Sequence, residues 1–165
     1  MLEKNSNLSE YQSIDIADAE NMSFALIVSE WNIEITNALK EAAVETLLKY
    51  KAISENIHLH YVPGSFELPL AAQWVLEHLE VDAVICLGCV IQGETRHFEF
   101  ICQSVSQSIA HLNLNYSRPV IFGVLTTDNI QQAIERAGGT HGNKGVEAAV
   151  AAIKMIELGR KITAN

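Results

Sequence analysis

With 165 residues and a formal net charge of −9, the chain has the length of one packed domain and no basic stripe to displace counterions from nucleic acid. Apolar residues make up 48% and charged residues 19%, a globular balance, and no run approaches the roughly 20 uninterrupted apolar residues of a membrane span. Three cysteines in apolar surroundings, and a start with scattered acids and no apolar core segment, argue for the cytoplasm and against a secreted disulfide scaffold.

Residues 1–20 carry five carboxylates against one lysine and read as an acidic, mostly mobile arm, part of which can add to a neighbouring sheet edge. Residues 21–165 read as the folded domain. Four short apolar runs, 23–29, 56–62, 82–88 and 119–125, have strand length, and segments of helical period separate them. That alternation specifies an α/β fold with a parallel sheet and helices on both faces.

The first helix, 32–50, sets Ile35, Leu39, Ala42, Ala43 and Leu47 on one stripe. The second starts near Ser65 and holds Pro69 in its first turn, where a missing N–H costs little. The third spans about 95–114. A fourth opens on the capping spacing Asp128-x-x-Gln131 and breaks at Gly138-Gly139. The fifth, 143–158, is apolar almost all round, from Val146 to Ile156. A domain this small cannot wrap a helix completely, which favours a subunit interface over a wholly buried helix.

The segment 83–97 is the richest in chemistry. An apolar run ends in Gly88 and Gly93, followed by Thr95, Arg96 and His97. A strand that stops at glycine and opens into a helix leaves N–H groups converging on one spot, which attracts anions. Imidazole, the side chain that titrates near neutrality, stands beside that spot at His97. The spacing Gly88-x-x-x-x-Gly93-Glu94-Thr95 misses a nucleoside-triphosphate loop by its lysine, and the Glu94 carboxylate repels a triphosphate. The N–H groups of Gly93, Glu94 and Thr95 suit one small phosphate instead, although an unliganded strand-to-helix turn has the same spacing. Cys86-x-x-Cys89 is poorly suited to redox or zinc chemistry: Cys86 lies inside the strand run, and only Cys102 remains as a further thiol.

In an open parallel sheet, ligands bind beyond the carboxyl ends of the strands. The loops there contain Trp31 and Phe66, aromatics suited to stacking on a flat heterocycle or to packing. Arg136 ends the fourth helix; its planar fork can hold a phosphate, or it can answer the helix dipole, and composition does not choose. His58 and His60 alternate on one strand face but make no complete metal site.

Taken together, 62–69 (VPGSFELP), 88–100 (GCVIQGETRHFEF), 126–138 (TTDNIQQAIERAG) and 142–145 (GNKG) resemble lumazine synthases, enzymes of the penultimate step of riboflavin biosynthesis. The likeness runs from about Phe24 to the end of the last helix, with the motifs in the family's order. It implies a flavodoxin-like three-layer αβα sandwich around a four-stranded parallel sheet. It also implies condensation of 5-amino-6-(D-ribitylamino)uracil with 3,4-dihydroxy-2-butanone 4-phosphate, giving 6,7-dimethyl-8-ribityllumazine, phosphate and water. That reaction transfers no electrons to an external acceptor and calls for no cofactor or metal.

By the same resemblance, Trp31 stacks on the uracil, and Ser65, Phe66 and Glu67 line the ribityl chain. Backbone groups of Cys89, Val90 and Ile91 read the pyrimidine edge. Glu94 and Thr95 hold the phosphate with Arg136 opposite, Lys144 adds positive charge, and His97 shuttles protons. Phe122 matches the family position that covers the ring in a neighbouring subunit's pocket. The family forms pentamers, in some members assembled into sixty-subunit shells. The short turn 138–142 lacks the insertion of pentamer-only members and leaves a shell, with riboflavin synthase as a guest, open. Two rival classes fit less well. A flavin-binding module needs a Thr/Ser/Gly-rich loop where 29–32 reads Ser-Glu-Trp-Asn, and a decayed shell protein would scarcely retain Trp31, Glu67, His97 and Arg136 together.

Overall fold

A computed structural model describes residues 16–164. Strands β1 (Phe24–Ser29), β2 (Ile57–Val62), β3 (Ala83–Ile91) and β4 (Val120–Thr127) form one parallel sheet in the order β2-β1-β3-β4. Helices α1 (Ile33–Lys49) and α5 (Lys144–Thr163) cover one face; α2 (Leu68–His78) and α3 (His97–Tyr116) cover the other. The result is the expected αβα sandwich. Every residue of β1 is buried, as a central parallel strand requires, and its side chains alternate between two cores. Phe24, Leu26 and Val28 meet α1 and α5, whereas Ala25 and Ile27 meet α2 and α3.

The strand order contains a reversal. The chain leaves β1 towards β2 on one side, then returns across β1 to β3 on the other. Right-handed crossovers put the connecting helices on opposite faces, so the loops after β1 and β3 part and leave a crevice at the carboxyl end.

Several boundaries differ from the sequence expectation. Strand β3 does not stop at Gly88. It continues to Ile91, because Cys89, Val90 and Ile91 stay paired with Leu125, Thr126 and Thr127 of β4. Gly88 serves close packing instead: a Cβ there would lie 2.5 Å from Ser65 Oγ and 3.1 Å from Leu68 Cδ1. Helix α2 begins at Leu68, preceded by a 3-10 turn at Ser65–Glu67, and α3 begins at His97 rather than Thr95. The cap of α4 (Ile130–Glu135) is Asn129, not Asp128, and its side chain accepts the Gln132 N–H at 3.0 Å. That helix ends before the glycines. Arg136 follows it, and two short strands, β5 (Ala137–Gly139) and β6 (Gly142–Asn143), pair as a hairpin.

The expectation for residues 1–15 lies outside the described residues. Ile16 and Ala19 are buried, the Ala19 N–H donates to Tyr50 O at 2.7 Å, and Asp18 pairs with Lys51 at 2.8 Å. Packing therefore starts ahead of the boundary expected at residue 20.

On its inner side α5 buries Ala148, Ala149, Ala152, Ile153 and Ile156; on its outer side Met155, Leu158 and Ile162 are exposed. Small residues let α5 lie close to α1, closest at Gly145, where a Cβ would fall 1.9 Å from Leu39 O. Cys86 and Cys89 belong to opposite cores, since three residues along a strand reverse the face. They cannot act as a pair. Burial pushes the Cys86 thiol up to about 12 and the Cys89 thiol to about 11.

Gly145→Ala is expected to cost about 1–3 kcal/mol, because the clash is with backbone and cannot be relieved by a rotamer change. Urea unfolding measures it, and an unchanged midpoint would contradict the close approach. The raised thiols predict a pH effect of definite sign. Above the ordinary thiol value of 9.0 the unfolded chain loses protons that the folded chain keeps, so stability falls as pH rises, by up to about 1.4 kcal/mol per unit for each thiol. Unfolding curves taken across this alkaline range should show a shallower decline in Cys86→Ala.

Candidate active site

A cleft of about 900 Å³ opens at the carboxyl end of the sheet, at the reversal between β1 and β3. The loops after β1 and β2 run together into it: the Glu30 N–H donates to Val62 O at 2.8 Å and the Trp31 N–H to Pro63 O at 3.1 Å. Asn32 then turns the chain with a left-handed backbone (φ 57°), a conformation Asn tolerates better than most residues. Its side-chain amide donates to Cys89 O at 3.0 Å and ties this loop to β3. Sequence reasoning missed this residue; the signal was an asparagine directly before a helix.

Pairing of β3 with β1 ends at Leu87, so beyond it the β1 side of β3 is open to the cleft. Backbone direction alternates along a strand. The Cys89 carbonyl faces Asn32 and the Gln92 N–H faces Thr127 O, which turns the Ile91 groups to the cleft and those of Val90 to β4. Of the three residues expected to read a ring edge, Cys89 and Ile91 have backbone groups on the right side. Val90 can offer only its side chain.

Trp31 is 72% exposed and Phe66 55%. Both line the cleft. The Glu67 carboxylate accepts the Gly64 N–H through Oε2 at 3.0 Å, which fixes the side chain and leaves Oε1 for a ligand. Ser65 lines the floor, but its hydroxyl is buried and turned to Gly88, away from the position expected for it. On the α3 side, Gly93, Thr95 and His97 line the same space, with Phe98 and Phe100 beyond them. The His97 N–H donates to Thr95 Oγ1 at 3.4 Å. Among the described residues the N–H groups of Gly93, Glu94 and Thr95 have no hydrogen-bond partner, and the turn that carries them precedes the first turn of α3.

Four expected residues stand outside this cleft in a single copy. The Glu94 side chain is exposed and does not line it. Phe122 lies on edge strand β4, 37% exposed, on the face of Val120 and Val124. Arg136 donates from Nη1 to Gln132 O at 3.1 Å, the helix-capping role weighed above. Lys144 pairs with Glu147 at 2.6 Å, and its N–H donates to Arg136 O at 2.9 Å. Arg136 and Lys144 thus stand together outside the cleft, where the hairpin packs against α1. Among the described residues that line the cleft, His97 is the one group able to carry positive charge. Of the expected residues, one copy brings together Trp31, Phe66, Glu67, Thr95 and His97 around the cleft; Arg136 and Lys144 are left apart. Among the described residues no three metal-ligating side chains cluster, and His58 and His60 lie half-buried on the α2 side of β2.

Residues 21–160 match the family model for 6,7-dimethyl-8-ribityllumazine synthase. The chain is 58% identical over 150 residues to the 6,7-dimethyl-8-ribityllumazine synthase of Cytophaga hutchinsonii, covering 91% of this chain and 94% of that protein. It is 53% identical to the like-named protein of Parabacteroides distasonis, covering 92% and 95% of the two chains. With that of Porphyromonas gingivalis the identity is 49%, covering 93% and 96%.

Asn32 supports the cleft in two ways that can be separated. Asn32→Ala should lose about 1–3 kcal/mol, from the amide hydrogen bond and from left-handed strain together. Asn32→Gly removes the amide but tolerates the backbone, and should lose about 0.5–1.5 kcal/mol. Equal losses in denaturant unfolding would remove the backbone contribution.

Proposed function

The chain belongs to the 6,7-dimethyl-8-ribityllumazine synthase family and catalyses its condensation of 5-amino-6-(D-ribitylamino)uracil with 3,4-dihydroxy-2-butanone 4-phosphate, and we propose that it does so in a site shared between two copies. The observation that carries this reading is the split of charge. An N–H turn and an imidazole share a cleft without a fixed cation, while Arg136 and Lys144 stand outside that cleft in the same chain.

In one copy, Trp31 stacks on the pyrimidine, backbone groups of Cys89 and Ile91 meet its polar edge, and Phe66 and Glu67 line the ribityl chain, whose hydroxyls donate to the Glu67 carboxylate. The N–H groups of Glu94 and Thr95, with the Thr95 hydroxyl, hold the phosphate. His97 takes and returns protons during imine formation, phosphate elimination and ring closure. A neighbouring copy supplies Phe122 over the ring and Arg136 to the phosphate, with Lys144 beside it. A phosphate bound by N–H groups alone, in a chain of net charge −9, gains most from that imported guanidinium.

Exposed apolar side chains support self-assembly: Leu70 and Trp74 on α2, Phe100 and Leu114 on α3, and Met155, Leu158 and Ile162 on α5. We read the assembly as a homopentamer. The short hairpin at 137–143 is compatible with a larger shell able to enclose riboflavin synthase. Residues 21–165 are the catalytic domain, with residues 16–20 of the acidic segment already packed against it. Buried, protonated thiols suit the cytoplasm, and no described helix is long and apolar enough to cross a membrane.

Purified protein given both substrates should form the fluorescent lumazine; no product would refute the enzymatic reading. His97→Ala should lower turnover by about 10²- to 10⁴-fold with the fold retained. Arg136→Ala should weaken the phosphate substrate by about 2–5 kcal/mol and spare the uracil. Co-refolding these two variants in equal amounts separates a shared site from a private one. With halves drawn from different copies, about a quarter of the sites regain both wild-type groups, and activity returns to that level. With both groups in one copy, the mixture stays as inactive as its parts.

A further inference from the structure

Two buried hydroxyls lie beside Gly88, one of them on a residue that lines the cleft, and neither takes part in the chemistry proposed above. Ser29, the last residue of β1, is fully buried; Ser65, which opens the turn after β2, is 7% exposed. Both Oγ atoms are buried without a hydrogen-bond partner. Unpaired buried hydroxyls are uncommon, because each has given up water for nothing. These two flank one point. A Cβ on Gly88 would lie 2.5 Å from Ser65 Oγ and 3.4 Å from Ser29 Oγ. Glycine at 88 is what allows both to approach the same stretch of β3. Ser65 also begins the turn that carries Phe66 and Glu67, and the Glu67 carboxylate is already fixed to Gly64 at the other end of that turn.

We infer that Ser29 is a positioning residue: its hydroxyl and that of Ser65 share one hydrogen-bonded bridge over Gly88 through a single water. The bridge docks the 64–67 turn on the sheet and sets the height of Glu67 over the cleft floor. A neutral site with two hydroxyls suits a water, which needs at least two polar partners when buried. Ser29 touches no substrate and moves no proton. Its effect reaches the reaction through Glu67, and so falls on the polyol substrate alone. This inference rests on the proposed role of Glu67.

The test is a double-mutant cycle on the full chain with Ser29→Ala, Ser65→Ala and the double variant. Each substrate is varied in turn. Ser29→Ala should raise KM for the ribitylaminouracil about 3- to 10-fold, the value of one neutral hydrogen bond, and leave KM for the phosphate ketone within about twofold. The double variant should be no worse than the weaker single one, because each change already breaks the bridge. Single effects that multiply, or both KM values rising together, would overturn the inference. If Ser29→Ala does not fold, Ser29→Cys keeps the volume and weakens the hydrogen bond. Urea unfolding of the same four proteins reads the pairing with no substrate present, and additive losses there overturn it. A wild-type protein that makes no lumazine but shows coupled unfolding would sink the enzymatic reading and leave the hydroxyl pair standing.

Discussion

The reversal of strand order at β1 is the constraint on which the rest depends. Because the chain leaves β1 to one side and β3 to the other, no connection can fill the space between their carboxyl ends. Everything that lines the cleft is there as a consequence. The loops after β1 and β2 close one wall, the extension of β3 past Leu87 makes the floor, and the turn into α3 closes the other wall. The Asn32–Cys89 hydrogen bond at 3.0 Å spans the gap and keeps it from spreading. Hydrophobic burial on both faces of β1 holds this arrangement rigid, since a central strand with two cores has no freedom to slip.

How much of this could be read from the residues depended on the range of each interaction. The four strands and their parallel order of helices were legible, because continuous apolar runs alternating with helical period leave few other folds. Strand and helix ends were less so. Gly88 reads as a stop signal locally, yet pairing with β4 carries the strand through it, and the reason for glycine lies in Ser65, far away in sequence. The cap at Asn129 against Asp128 turned on one residue of register that spacing alone does not settle. At the site, residues close in sequence (63–67, 89–97) were found together because they sit on two adjacent loops. Arg136, Phe122 and Lys144 carried no local sign of where they would stand relative to the cleft. Only the fold reveals that they do not line it.

This division has a physical logic. A chain of net charge −9 that binds a phosphate must concentrate its few cations, and a long side chain held at a helix end is an economical place to keep one. Arg136 is braced by the Gln132 carbonyl and backed by the Lys144 N–H on its own carbonyl. Its position is therefore determined before any partner arrives. The cleft, for its part, presents N–H groups whose direction is fixed by the turn at 93–95. In the shared site proposed above, neither half has to reorganise when the two meet.

The orientation of Cys89 has a consequence for chemical survival. Its backbone borders the cleft, but its thiol points into the core under α1 and α5 and is held protonated by burial. The second substrate is a ketone that loses phosphate to give an electrophile able to capture any thiolate within reach. One step of strand alternation therefore keeps the Cys89 sulfur off the wall that the substrates meet.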